Sequence, residues 1–227
     1  GDDERLRDPA DVERLTDIEL ATEAYVAGYP LVVSTRTMRT LGGLVGVNRL
    51  FWQTALSGPT TRVVVAPNRD TLYSIAVLDL RAGPLVLTLP EVEDRYFTYQ
   101  FLSPWTESFA YVGTRATGGE AGSWVIAPPG WDGDLPAGAT LIEAPTDQVF
   151  LLGRFLVDDE ADIPNVLAIR DRSSLRPLAD VEGTPTTGTV PPLPAAAGRP
   201  QDVPTDRSFY DELTDALGVN PPTTPYQ

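Results

Sequence analysis

Residues 72–102 read LYSIAVLDLRAGPLVLTLPEVEDRYFTYQFL, in which three apolar or alternating runs are separated by turn-forming and charged residues. Runs of this kind, each bounded by Gly, Pro, Asn or Asp, are typical of β-strands. The same pattern continues on both sides and predicts eight strands: Val63–Ala66, Leu72–Leu80, Leu85–Leu89, Tyr96–Leu102, Phe109–Val112, Trp124–Ala127, Thr140–Glu143 and Val149–Val157. Because no helical pattern lies between these strands, we expect an antiparallel sandwich or barrel and not a parallel α/β sheet.

The segment before the strands has a helical pattern. A capping-box sequence at residues 16–19 precedes apolar residues at three- and four-residue steps, which predicts an amphipathic helix from Asp17 to about Met38. Pro30 is expected to kink or divide this helix, and the glycine-rich residues 41–46 are expected to form a turn after it. Asn48–Leu56 is predicted to form a short second helix.

The segment after the strands mixes helical and extended patterns. Asp158–Arg172 predicts a helix that begins with acidic residues, and the Pro- and Gly-rich residues 181–204 predict an extended arm. A short helix follows at residues 205–217 and either docks on its own domain or begins another one. The expected fold class is α+β, mainly β, with a helical segment at 1–60, an antiparallel β-sandwich at 61–178 and an arm with a terminal helix at 179–227.

Three residue types that carry much of enzyme chemistry are missing. The chain contains no lysine, no histidine and no cysteine. Zinc, copper and iron–sulfur sites ordinarily need imidazole or thiolate ligands, and the Ser–His and Cys–His nucleophile pairs are excluded as well. The composition leaves open a hard cation on oxygen ligands or a borrowed cofactor, but we expect neither a metal nor a cofactor. Catalysis would then use carboxylates, phenols and guanidinium groups.

The net charge limits the classes of molecule that the chain is expected to bind. The chain has a net charge of −15, with 32 acidic residues against 17 basic ones, all of them arginine. This sign disfavours nucleic acid and anionic lipid, and no apolar run is long enough to span a membrane. A small molecule remains the expected ligand, and a homo-oligomer stays open. Since the first residue is Gly1, we expect a processed or trimmed chain, for which an extracytoplasmic location is one alternative.

The polar cluster between the first two predicted strands is the main candidate site. At residues 67–74 the chain reads PNRDTLYS, and we interpret Arg69 as an anion clamp, Asp70 as an acid or base and Tyr73 as a proton donor. Positions 69, 71 and 73 share one strand face, so the turn must bring Asp70 to them. The alternative is a structural turn in which Arg69 pairs with a nearby carboxylate.

A second cluster supplies aromatic side chains. Tyr96, Tyr99 and Trp105 would line a pocket for a small organic ligand, and Glu107 would be the second carboxylate of a site with Asp70. The alternative is a sandwich core with tyrosines at its rim. The candidate catalytic residues are thus Asp70, Tyr73 and Glu107, and the candidate ligand-binding residues are Asn68, Arg69, Tyr96, Tyr99, Trp105 and Arg115.

Several motifs resemble one bacterial family. They are AYVAGYPLV at 24–32, VNRLF at 47–51 and PNRDTLYS at 67–74, followed by further motifs between residues 113 and 155. In this order they resemble the family known as domain of unknown function 1254. The resemblance implies a helical segment leading into a β-sandwich, a second jelly-roll-like domain in longer members, and export of many members. Members often carry a histidine shortly after the second motif, where this chain has Phe51-Trp52-Gln53.

Two functions follow as expectations. The first is a metal- and cofactor-independent acid–base enzyme, of hydrolase, lyase or cyclase type, that acts on a small organic molecule. The second is a ligand-binding or cell-envelope assembly module in which the Asn68-Arg69-Asp70 motif is structural. The two differ in whether these residues open into one solvent-reachable pocket.

Overall fold

A long helix opens the fold. The computed structural model describes residues 16–57, 69–183 and 199–222. Helix α1 (Asp17–Val45) begins at the predicted capping box, in which Thr16 and Glu19 bond each other's backbone N–H groups. Pro30 lies inside this helix and does not divide it, and the predicted turn at 41–46 is wrong because the helix continues to Val45.

The continuity of α1 has a tertiary cause. An interior proline costs a helix about 3 kcal/mol, whereas burying one large aliphatic side chain contributes about 1.5–3 kcal/mol. Leu31 and Val32, which directly follow Pro30, are fully buried, and Met38 and Gly42 are buried further along. The helix ends at Gly46, whose φ of 87° lies outside the helical range.

Nine strands form two sheets in the described part of the chain. The strands are β1 (Phe51–Trp52), β2 (Thr71–Asp79), β3 (Leu85–Leu89), β4 (Phe97–Leu102), β5 (Ser108–Gly113), β6 (Gly122–Ala127), β7 (Ala139–Glu143), β8 (Gln148–Leu156) and β9 (Ser174–Pro177). One sheet has the order β1-β2-β8-β4-β5 and the other β7-β6-β3-β9. All pairs are antiparallel except β6 with β7, which are parallel. Seven predicted strands are confirmed, and the eighth, Val63–Ala66, lies outside the described residues.

The inner faces of both sheets share one core. Phe155 on β8 contacts the rings of Trp52, Phe97 and Tyr99, at centroid distances of 4.7, 5.4 and 5.6 Å. The alternate residues of β2 and the facing strands of the other sheet complete this core. The predicted helix at Asn48–Leu56 is wrong: Trp52 is buried in the core as part of β1, which pairs with β2.

Short helices follow the last long strand. A 3₁₀ turn at Glu160–Asp162 precedes α2 (Ile163–Arg172), so the predicted helix at Asp158–Arg172 is confirmed for its second part. After β9 come α3 (Leu178–Val181) and, beyond the undescribed residues 184–198, α4 (Ser208–Val219). Within the described ranges, no helix, α1 included, combines the length and the apolar character that a bilayer crossing requires.

The terminal helix packs on the first one. The Phe209 ring of α4 packs against the Tyr25 ring of α1 in a tilted arrangement, at 4.4 Å between ring centroids. Leu213 fills the space that a side chain at Gly28 would need. Arg36 of α1 is 2% exposed and donates two hydrogen bonds to the carboxylate of Glu212, at 2.8 and 3.0 Å. Its other bonds hold the backbone carbonyls of residues 199, 200 and 202.

Asn220, directly after α4, joins this helix to the sandwich. Its amide accepts a hydrogen bond from the Gln148 backbone N–H and donates one to the Gln148 side chain. Trp105 donates its indole N–H to the backbone carbonyl of Asn220 at 3.1 Å. The terminal helix therefore docks on its own domain.

Candidate functional site

Four of the predicted site residues lie at one end of the five-stranded sheet. The Val157 N–H donates to the Asp70 carbonyl at 2.8 Å, and the Leu156 N–H donates to the Tyr96 carbonyl at 2.9 Å. Arg69 and Asp70 are exposed just before β2, and the Arg115 guanidinium lies 5.7 Å from the Tyr96 ring centroid. Asn68 lies outside the described residues. The strands thus bring Arg69, Asp70, Tyr96 and Arg115 to the same end of the sheet.

Glu107 and Trp105 lie at the opposite end, in the turn between β4 and β5. The register pairs Phe97 with Phe155 at one end of β4 and Leu102 with Phe150 at the other. These ends are about 17 Å apart at 3.4 Å per residue. Glycosidase carboxylates act as a pair at about 5–9.5 Å. The expected two-carboxylate site of Asp70 and Glu107 is therefore not formed.

Tyr99 belongs to the core. Its side chain is fully buried, and its hydroxyl donates a hydrogen bond to Ser74 Oγ at 2.8 Å. Burial raises the pKa of the Tyr99 phenol far above its usual value. The expectation that Tyr99 lines a solvent-reachable pocket is wrong, because strand alternation directs it between the two sheets.

Tyr73 lies on the outer face of β2. Its backbone exchanges hydrogen bonds with Gln53, whose side-chain carbonyl accepts from the Tyr73 N–H at 3.2 Å and whose N–H donates to the Tyr73 carbonyl at 2.9 Å. Across the strand pair, the Arg154 guanidinium lies 5.5 Å from the centre of the Tyr73 ring. A cation beside the Tyr73 ring is thus Arg154, which is not among the predicted site residues.

A cleft opens along the side of the sandwich at which an edge strand of each sheet lies. Strand β1 is the edge of the five-stranded sheet, and β9 is an edge of the four-stranded sheet. The cleft between them has a volume of about 410 Å³. The described residues that line it are Arg49, Leu50, Phe51, Trp52, Arg170, Ser173, Ser174 and Leu175. None of these lining residues is acidic, although the chain as a whole is strongly acidic.

The VNRLF motif builds one wall of this cleft. Asn48 adopts a left-handed conformation, with φ of 57°, which Asn tolerates better than most residues. Its amide binds the backbone of Asp79 in both directions, at 3.0 Å to the carbonyl and 2.7 Å from the N–H. This anchor fixes the turn after α1 against β2, so that Arg49 and Phe51 lie at the cleft.

Gly46 leaves room for the Arg49 side chain. A Cβ at Gly46 would lie 3.1 Å from Arg49 Cδ, and the backbone φ of 87° disfavours any side chain there. Arg49 itself is exposed. The end of α1 thus supports the aliphatic part of Arg49 and leaves its guanidinium to solvent.

The junction between α2 and β9 builds the other wall. Arg170 lies in the last turn of α2 and pairs with its exposed neighbour Asp171 at 2.8 Å. An exposed pair of this kind is worth about 0–1 kcal/mol, so Arg170 can exchange it for a ligand at little cost. The Ser173 hydroxyl donates to the Ile169 carbonyl at 2.8 Å, which leaves its oxygen as an acceptor, and Ser174 begins β9.

Several ion pairs lie away from the cleft and join elements of the fold. Hydrogen bonds from Arg95 and Asn165 lower the pKa of Asp162 to about 2. Arg81 binds the fully buried Asp79, and the pKa of Asp147 is raised by its own burial and by the charge of Asp79. Over residues 16–57, 69–183 and 199–222, no cluster of three acidic side chains could hold a metal ion.

Comparison with known proteins identifies the family. The model of the family described as "Protein of unknown function (DUF1254)" matches residues 47–177. The chain belongs to the DUF1254 family. This match begins at the VNRLF motif and ends with β9, so it contains both walls of the cleft. No curated protein matches the sequence.

Two solved structures resemble this DUF1254 chain. The VPA0106 protein from Vibrio parahaemolyticus matches 91% of the chain with a TM-score of 0.71 and 21% identity, and the chain spans 48% of that protein. A putative uncharacterized protein from Burkholderia cenocepacia matches 53% of the chain with a TM-score of 0.38 and 16% identity, and 34% of that protein is covered. The likeness to the Vibrio protein extends to the fold alone.

Proposed function

We propose that this DUF1254 chain binds a small organic anion in the cleft between β1 and the α2–β9 junction. One observation carries the proposal: two guanidinium groups, Arg49 and Arg170, and two serines line a cleft whose described residues include no acid. In a chain of net charge −15, such a cleft is a local exception that favours a negative ligand.

The rest of the lining favours a ligand with an apolar body. Phe51, 42% exposed, and the half-buried Leu175 offer apolar surface beside the charged groups. A guanidinium binds a carboxylate or a phosphate with two parallel hydrogen bonds, which fixes the orientation of the ligand. The volume of about 410 Å³ falls in the usual range for small-molecule sites. An aromatic or aliphatic carboxylate, or a phosphate monoester, meets these requirements.

A panel of such acids, screened by thermal shift and followed by calorimetry, tests the proposal. We expect saturable binding by at least one member and about tenfold weaker binding in each of Arg49→Gln and Arg170→Gln, because each loses a charge-assisted hydrogen bond. Arg172→Gln is the matched control, since Arg172 lies outside the cleft and donates to the Ala168 carbonyl. A panel without a binder, or equal affinity in all three variants, would refute it.

Acid–base catalysis by Asp70 and Tyr73 is the second candidate. It is supported by their position at one end of β2, with the Arg154 cation beside the phenol ring. A substrate found in the same panel would be turned over more slowly by Asp70→Asn and by Tyr73→Phe, by about 100-fold if either moves a proton. Unchanged turnover in both variants would remove this candidate.

A further inference from the structure

Arg154 lacks the partners that a half-buried arginine usually has. Leu151 and Phe155 of β8 point into the core. Because side chains alternate along a strand, Arg154 projects from the outer face. Its Nε atom is buried and makes no hydrogen bond. The guanidinium contacts the Tyr73 ring, and it forms no ion pair with any residue in the described part of the chain.

A second orphaned polar atom lies on the same face. Thr71 is 5% exposed, and its Oγ1 also makes no hydrogen bond. Thr71 pairs with Leu156 and Tyr73 pairs with Arg154, so Thr71 and Arg154 are diagonal neighbours across β2 and β8. Such neighbours lie within reach of a long side chain. The face thus presents one buried N–H donor and one buried hydroxyl, both unsatisfied.

The other largely buried arginines differ from Arg154 in that each is paired with a carboxylate, although the Arg95 Nε atom also makes no hydrogen bond. Arg36 and Arg95 each hold a carboxylate, Glu212 and Asp162, with side chains that are 3% and 8% exposed. The chain has 32 acidic residues for 17 arginines, so carboxylates are plentiful. Buried polar groups are nearly always hydrogen-bonded, and an exception calls for a missing ion, water or ligand. An arginine left unpaired at the centre of a sheet is therefore the exception that requires an explanation.

We propose that Arg154, assisted by Thr71, binds an oxyanion, the carboxylate or phosphate group of a small molecule, on the outer face of the five-stranded sheet. The guanidinium offers its donors in a planar fork, and the Thr71 hydroxyl offers a further donor. Tyr73 packs against the guanidinium and holds it in place. Thr98, across from Arg154 on β4, bounds the other side. This site is separate from the cleft, and its proposal does not depend on the cleft being occupied.

Nuclear magnetic resonance observes this site directly. The Nε–Hε signal of Arg154, assigned by its loss in Arg154→Lys, is followed while inorganic phosphate or sodium benzoate is added at constant ionic strength with chloride. We expect a saturable shift of this signal with at least one of the two anions. The stronger-binding anion then tells whether the site prefers a phosphate or a carboxylate.

Variants separate a binding site from a structural arginine. The affinities of the variants are measured from the backbone amide signals of Tyr73 and Thr98, which flank position 154 and remain when Arg154 is replaced. Because lysine keeps the charge but lacks the planar fork, we expect Arg154→Lys to bind the anion about tenfold more weakly, and Thr71→Val about threefold more weakly. Arg172→Gln should match the wild type. Circular dichroism confirms that each variant is folded. The proposal is overturned by a linear, non-saturating shift with both anions, or by affinity in folded Arg154→Lys equal to that of the wild type.

Discussion

Replacing Arg36 with methionine should detach the terminal helix from the fold. Arg36 donates two bonds to Glu212 and three to backbone carbonyls, and all five are lost in Arg36→Met. Breaking a buried ion pair costs about 3–5 kcal/mol, because the remaining charge stays buried without a partner. The Glu212 side chain is 26% exposed, so water recovers part of this loss.

The expected cost of Arg36→Met is therefore about 3 kcal/mol, at the lower end of that range. For a chain of this size it corresponds to a fall in Tm of about 6–12 °C, since each kcal/mol shifts the midpoint by about 2–4 °C. Differential scanning calorimetry measures the midpoint. Hydrogen exchange over residues 199–219 shows whether the arm and α4 open before the sheets do.

Arg39→Met is the matched control for this prediction. Arg39 lies one turn further along α1, is half-buried, and should change stability by less than about 0.5 kcal/mol. Glu212→Gln keeps the shape of the partner and removes its charge, so its loss of stability should lie between those of Arg36→Met and Arg39→Met. A Tm for Arg36→Met within 2 °C of the control, together with unchanged exchange in α4, would refute the idea that Arg36 anchors this helix.

Three further predictions concern the anchors of the fold. Asn48→Ala loses both bonds to Asp79 and leaves a left-handed residue without its usual side chain, so it should lower stability by about 2–3 kcal/mol in urea unfolding. Tyr99→Phe should cost about 1–2 kcal/mol while leaving ligand affinity unchanged, because its hydroxyl bonds Ser74 inside the core. The pKa of Asp162 is lowered to about 2 by its hydrogen bonds to Arg95 and Asn165, so its contribution to stability is present above pH 4 and is lost as pH falls towards 2. In Asp162→Asn the unfolding midpoint should depend less on pH over that range than in the wild type. An unchanged pH dependence would contradict this role of Asp162.

Local patterns predicted most of the strands because two local signals coincide there. Side chains alternate between the core and the outer face, and turn formers bound each run, as at Leu85–Leu89, which was predicted to the residue. Strands β1 and β9 were not predicted, because a strand of two or four residues is too short to show a periodic pattern of apolar side chains. In α1, local signals for a break at Pro30 were overridden by burial of the residues that follow it.

The site was harder to predict because it depends on long-range register. Asp70 and Glu107 are both plausible carboxylates, and only the pairing of β4 with β8 separates them. Arg49 was recognised within the VNRLF motif, but its approach to Arg170 depends on the edges of two sheets meeting on one side. Arg154 lies in an ordinary alternating strand, and its lack of a partner is visible only once neighbouring strands are in place.

A crystal structure of the chain with the tightest-binding acid from the panel tests the proposed cleft most directly. We predict the carboxylate or phosphate oxygens within hydrogen-bonding distance of the guanidinium groups of Arg49 and Arg170, with the apolar body of the ligand against Phe51 and Leu175. Density for the acid at another place on the molecule, with the cleft filled by solvent, would contradict the account.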